Sequence, residues 1–187
     1  DLDLGFLHGG TPRPVRKASF TPPALPDPGC PAPGSAGGDR AGSDHARTIL
    51  ALLASPDIAS KEWIVRQYDH EVQGMAVQKP LVGVRRDSPG DAAVLKPLPD
   101  SPMGAAIACG ANPRYGPLDP GAMAAAAIDE ALRNAVAVGG DPARTAILDN
   151  FSWGNCDKED RLGALVLAAR ACRVAALAYG TPFISGK

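Results

Sequence analysis

The residues best placed to do chemistry in this sequence stand where its apolar segments stop. Thr145-Ala146-Ile147-Leu148 ends abruptly on Asp149-Asn150, just ahead of the aromatic residues Phe151 and Trp153. A carboxylate at the carboxyl end of a buried strand is where α/β proteins often hold a ligand. The same residue types also close strand-end turns, because Asp and Asn bond their own backbone. Ile184-Ser185-Gly186-Lys187 ends a second strand-like segment in Gly-Lys and reads as the start of a ligand loop. Gly139-Gly140-Asp141-Pro142 could approach a phosphate closely, but a helix stop followed by a turn explains it fully. Tyr68-Asp69-His70-Glu71 gathers titratable groups after a helix. A His flanked by carboxylates suits a general base or a metal ligand, and equally a solvated helix end. Asp91, at a strand start, suits Mg²⁺ or a turn.

Other chemistries lack their parts. Ser152 has no G-x-S-x-G context, no Cys has a recognisable His partner, and the usual phosphate-binding G-x-x-x-x-G-K-[ST] run is absent. Four cysteines (Cys30, Cys109, Cys156, Cys172) show no C-x-x-C pairing and no His cluster, which argues against zinc. The formal net charge of −1, with no long basic run, argues against nucleic acid or an anionic membrane surface as a main partner. The most apolar stretch, GALVLAARACRVAALAYG, is interrupted by Arg170 and Arg173. It falls short of the roughly 20 uninterrupted apolar residues of a membrane span and reads as a core helix. No signal-like start precedes it, so a cytosolic, thiol-reducing compartment is expected. The first residue is not Met and the last segment is apolar and strand-like, so the chain also reads as a piece of a longer polypeptide.

The elements that must position these residues follow from periodicity and punctuation. Of the 187 residues, 45% are hydrophobic but only 5% aromatic, so Ala, Val and Leu must do most of the packing. Residues 1–18 have little periodicity and read as an irregular lead-in. Residues 19–44 are dominated by Pro, Gly and Ser and read as a linker that cannot bury enough apolar surface to offset its ordering entropy. Order is expected from residue 45, with helices in ARTILALLA and, capped by Ser60, in KEWIVRQYD. Strands are expected within 74–84, 91–97 and 104–110. Asp119-Pro120 writes a helix start and Gly139-Gly140 its stop. TAILD is a strand, Asp157 caps a helix over about 158–179 ended by Gly180, and PFIS is the last strand. Adjacent strands early and alternating helices late predict an α+β fold, a mixed sheet with helices on one face. Residues alone therefore predict a soluble α+β domain with one or two acidic strand ends, suited to a nucleotide held through Mg²⁺.

Six ordered blocks resemble one family. They are ASPDIASKEWIVRQYDHEVQG, KPLVG, DAAVLKPL, NPRYGPLDPGAMAAAAIDEALRNAVAVGGDP, AILDNFSWGN and ALAYGTPFISGK. They look like the second half of phosphoribosylformylglycinamidine synthase, the large purine-pathway subunit, and LDLGFLHGGTPRP resembles the segment before it. The resemblance implies an aminoimidazole ribonucleotide synthase-like amino-terminal domain over 45–187, a linker over 19–44, and the tail of a preceding domain over 1–18. It implies part of an ATP- and Mg²⁺-using ligase that converts formylglycinamide ribonucleotide to the amidine. Ammonia would come from glutamine through a glutaminase subunit or domain, and the domain would pair with its homologous amino-terminal domain or with itself. It further implies that Asp149 and Gly186 are ATP-binding positions. The next position, usually an Asn that ligates Mg²⁺, is here Lys187, which cannot ligate a cation while charged. The family's catalytic His lies in the other half, so no catalytic residue is expected here, nor any activity of the chain alone. Two other readings stay open. One is a non-catalytic, dimerising module with an auxiliary nucleotide site. The other is a related ATP-using enzyme of the same superfamily.

Overall fold

Residues 4–10, 14–24, 45–68 and 70–187 are described by the computed structural model of the chain. Most of the expected linker, residues 25–44, lies outside them. The contacts divide the chain into two units, one of residues 1–23, 110–130 and 142–187, the other of residues 24–109 and 131–141.

The first unit is built around two helices, and its sequence signals explain both. Helix α4, Pro120–Ala137, contributes residues 120–130 to this unit. Asp119 Oδ1 accepts the Ala122 N–H at 2.9 Å, and Pro120, fully buried, occupies the first turn where its missing N–H is no loss. Helix α5, Glu159–Tyr179, starts one turn position later than its sequence suggests. Asp157 does not cap it: Lys158 holds the cap position in an extended conformation, and Asp157 instead pairs with Arg16 at 3.1 Å. Glu159 and Asp160 place negative charge in the first turn, which favours the amino end of a helix. Gly180 ends α5 in the left-handed region at φ 67°.

One stripe of α5, Gly163, Ala164, Ala168 and Ala175, is buried. Gly163 is required there because the Ser19 main chain lies against it, with the Ser19 N–H donating to the Glu159 carbonyl at 3.1 Å. The start of the expected linker, Ser19-Phe20, is therefore packed on this helix, and Arg16 of the lead-in pairs with Asp157 just before it. The lead-in also contains a short helix, α1, Leu4–Gly9, which periodicity did not reveal in so few residues. By length and composition alone helix α5 could also cross a membrane, a test that the core helix of a soluble protein passes as well. Strands β6, Ile147–Leu148, and β7, Phe183–Ser185, pair in parallel, with Ile147 opposite Phe183 and Leu148 opposite Ser185.

In the second unit, α2, His45–Leu53, and α3, Glu62–Val65, precede the strands. The helix expected in KEWIVRQYD is a single turn, entered with the Ser60 hydroxyl accepting the Glu62 N–H at 3.2 Å. Strands β1, Ala76–Gln78, β4, Ala92–Leu95, and β5, Ala105–Ala108, form an antiparallel sheet in the order β1-β4-β5. Strands β2, Leu81–Val82, and β3, Ser88–Pro89, form a separate hairpin. Leu81, Leu132 and Ala135 are buried. Helix α4 stops as expected, with the Gly140 N–H donating to the Ala135 carbonyl at 2.8 Å and Gly139 at φ 93°.

The fold is α+β, but the expected single mixed sheet is not formed among the described residues. Parallel and antiparallel pairs are instead divided among three small sheets. The strands are two to four residues long. Pro80, Pro89 and Pro97 stand in or beside them and remove ladder donors, so the ladders end early.

Candidate functional site

The carboxylate that ends β6 finds its partner at the end of β7. Asp149 Oδ1 accepts the Lys187 N–H at 3.0 Å, and the Phe151 N–H donates to the Lys187 carbonyl at 2.7 Å. These two bonds lace the segment after β6 to the segment after β7, continuing the parallel pair beyond its strands. Gly186 makes the approach feasible, since a Cβ there would fall on the Asp149 carboxylate, only 2.7 Å from its Cγ. The sequence-predicted pair, Asp149 and Gly186, is thus brought together in contact, with Lys187 beside it.

The loop after Asp149 is held in turn. The rings of Phe151 and Trp153 meet edge to face with centroids 5.8 Å apart, and the Trp153 indole N–H donates to the Arg161 carbonyl at 2.9 Å. An edge-to-face pair adds about 0.5–1.5 kcal/mol beyond area burial. The indole bond ties the loop to the first turns of α5.

A cavity of about 640 Å³ opens beside this junction, between α5 and the β6 and β7 ends. Asp149, Phe151, Cys172, Arg173, Leu177 and Thr181 are among its walls. Burial pushes the Cys172 thiol up from its ordinary value, and the Asp149 charge adds to the effect. The carboxylate is therefore felt at the helix wall. Thr181 is 1% exposed and its hydroxyl has no partner among the described residues. Sequence reasoning missed Cys172, Arg173 and Thr181. A signal was present: Ala169, Cys172, Arg173 and Ala176 recur at the three- and four-residue spacing of one helix face.

The remaining sequence candidates belong to the other unit. Of Tyr68-Asp69-His70-Glu71, Asp69 is outside the described residues. Tyr68 and His70 are exposed, and Glu71 is bonded to Lys79. That bond, more than any other influence, holds the Glu71 carboxyl below the usual carboxylate range, against the opposing effect of desolvation. Gly139-Gly140 is the helix stop described above. Asp91 is exposed at the start of β4.

Mg²⁺ wants near-octahedral oxygen ligands at close range. Here one Asp149 oxygen is bonded to a main-chain N–H, and no group of three or more His, Cys, Asp or Glu is assembled among the described residues. These residues do not fit that ion.

The chain is thus an α+β domain with a carboxylate-and-glycine junction at the carboxyl end of a parallel strand pair. Comparison with known proteins agrees with what the sequence blocks indicated. The family of the AIR synthase related protein, N-terminal domain, matches residues 89–187, and the chain belongs to that family. It is 39% identical over 141 residues to the phosphoribosylformylglycinamidine synthase subunit PurL of Rhodopseudomonas palustris strain TIE-1, covering 75% of this chain and 18% of that protein. The subunit of the same name from Methanocaldococcus jannaschii is 41% identical over 138 residues, 74% of this chain and 18% of the relative. That of Picrophilus torridus is 33% identical over 141 residues, 75% of this chain and 19% of the relative. The chain therefore spans less than a fifth of the length of these relatives.

Proposed function

We propose that this chain works as one domain of a phosphoribosylformylglycinamidine synthase, an ATP-dependent carbon–nitrogen ligase of cytoplasmic purine synthesis. The observation that carries this reading is the closure of Asp149 on Gly186-Lys187, at positions the sequence blocks single out, in a chain of this family. In this reading residues 45–187 are an amino-terminal-type domain in the second half of a duplicated polypeptide. Residues 19–44 link it to the end of the first half, residues 1–18. Formylglycinamide ribonucleotide is the substrate, and a glutaminase subunit or domain supplies ammonia. A homologous domain, or a second copy of this one, is the pairing partner.

In the reaction the substrate amide oxygen attacks the terminal phosphoryl group of ATP and ADP leaves. Ammonia then adds at the activated carbon, and phosphate departs with the oxygen. The contribution of this chain is a nucleotide site: Asp149 as a hydrogen-bond acceptor, and Gly186 as the position where a ligand can approach bare main chain. Lys187 stands where a fixed positive charge can face phosphate. No step in this chain's site is assigned to Mg²⁺.

A second reading is favoured by one observation. The Asp149 carboxylate already serves the main chain at Lys187, as a purely structural residue would. The domain would then be a scaffold whose nucleotide is held without turnover. The test is ATP hydrolysis by the longer polypeptide with formylglycinamide ribonucleotide and ammonia, comparing wild type with Asp149→Asn. Substrate-dependent hydrolysis that falls at least tenfold in the variant supports a working site. Hydrolysis that survives makes the domain a scaffold. No substrate-dependent hydrolysis in wild type rejects the ligase.

A further inference from the structure

The second unit holds a cavity of about 440 Å³ between β1, the β2–β3 hairpin and the end of α4. Leu81, Val82, Val94 and Val138 give it an apolar lining, and Gln78, Lys79 and Arg86 add polar groups to its wall. Around Arg86, cations and carboxylates pair off one against one. Arg66 meets Glu62 at 2.6 Å, Arg85 meets Asp87 at 3.0 Å, and Lys79 is bonded to Glu71. The Lys79 bond keeps the Glu71 carboxyl low and so charged at neutral pH, which leaves Lys79 neutralised. The Gln78 amide N–H is engaged as well, donating to the Ala92 carbonyl at 3.0 Å. The Arg86 guanidinium is the exception: among the described residues no hydrogen bond or ion pair takes it, and it acts on Glu71 only through space, as the smallest of the pulls there. Its main chain is nevertheless held firmly. Arg86 adopts φ 51°, an uncommon left-handed conformation for a residue with a side chain, and the Arg66 guanidinium donates to its carbonyl at 2.8 Å. Tyr68, Gln73 and Arg86, the non-glycine residues of positive φ among those described, all fall in the segment that carries Glu71 and Lys79. Backbone of this kind concentrates at ligand clamps.

We propose that this cavity is a binding site for a small monocarboxylate with a branched aliphatic body, its carboxylate paired with the Arg86 guanidinium and its methyl groups set against the valine and leucine lining. A guanidinium offers two parallel N–H donors that match the two oxygens of a carboxylate. One uncompensated cation suits one negative charge. Inorganic phosphate carries more than one at neutral pH and would need a second unpaired cation, which Glu71 denies it by holding Lys79. The aliphatic body gains by leaving water for the apolar lining, and the volume lies within the range of small-molecule sites. The site lies in the second unit and stands whether or not Asp149 holds a nucleotide.

The test is titration of the 187-residue chain with isovalerate, isovaleramide and inorganic phosphate, followed by NMR shifts of the Val82, Val94 and Val138 methyl groups. Isovalerate is expected to give saturable shifts. Isovaleramide, which has the same shape without the charge, should bind at least tenfold more weakly, and so should phosphate. Arg86→Asn should weaken isovalerate at least tenfold. Asn tolerates the left-handed conformation, so the melting temperature should hold and the loss would report the guanidinium rather than misfolding. Should that variant melt early, the contrast between isovalerate and isovaleramide on wild type decides. Glu71→Gln releases Lys79 as a second unpaired cation and should raise phosphate affinity at least threefold. Equal affinity for isovalerate and isovaleramide would reduce the site to an apolar hollow and overturn the proposal. Phosphate binding more tightly than isovalerate to wild type would overturn the ligand class. No saturable binding, full affinity in a folded Arg86→Asn variant, or unchanged phosphate affinity in Glu71→Gln would each overturn it too.

Discussion

Gly186 and Asp149 constrain each other. The carboxylate reaches the Lys187 N–H only because no Cβ stands at residue 186. Gly186→Ala is therefore expected to destabilise the chain by about 1–3 kcal/mol, the range for forcing a group into filled space. Asp149→Ala should relieve that clash, so the double variant should be less destabilised than the sum of the two singles. A double-mutant cycle by thermal unfolding measures this, and strict additivity would show that the two residues do not press on each other. Cys172 supplies a second check. Its thiol is raised in the folded chain, so the stability it contributes is complete below the ordinary thiol pKa and is lost as pH rises through the raised value. Stability should fall more steeply above about pH 8.5 in wild type than in Cys172→Ala. Alkylation of Cys172 should also lag behind that of the exposed Cys109. Asp149 was legible as a candidate because the carboxyl end of a buried-looking strand is where α/β proteins often hold a ligand. Its partner was not derivable from pattern alone, since nothing in residues 145–155 says that residue 187 lies beside them.

At the scale of elements, starts and stops were the most readable features. Asp119 before Pro120 fixed the beginning of α4, and Gly139-Gly140 its end, because capping is local chemistry between residues a few positions apart. Asp119→Ala should cost about 1 kcal/mol, read as a lowered melting temperature, while Asp119→Asn, which still accepts the bond, should recover most of it. The cap of α5 shows where such reading fails. Asp157 has the right residue type one position too early, and its carboxylate pairs with the distant Arg16 instead. The same limit applies to the KEWIVRQYD segment, where helix-forming residues give only one turn, Glu62–Val65, and the chain leaves through Tyr68 at φ 55°. Strands were located to within a few residues. The β3 pairing was missed, because Ser88-Pro89 has neither branched nor aromatic side chains to announce it.

For the whole molecule, the chain spans only about 18% of the length of the Rhodopseudomonas palustris and Methanocaldococcus jannaschii relatives. On the proposed reading, amidine formation needs more than these residues. An assay of the isolated chain with formylglycinamide ribonucleotide, ammonia and ATP should give no amidine, and any turnover would place catalytic groups within it. What the sequence determined by itself is the class of fold, the boundaries set by caps and breakers, and membership of a family. Each depends on residue type and short spacing, which survive without coordinates. Tertiary structure decided the rest. It divided the strands among three sheets, since pairing follows from which segments meet rather than from their own propensity. It also joined residues 38 positions apart, Asp149 and Lys187, and set a helix face carrying Cys172 and Arg173 beside them. A cavity is a property of the space between elements, and no single segment encodes it.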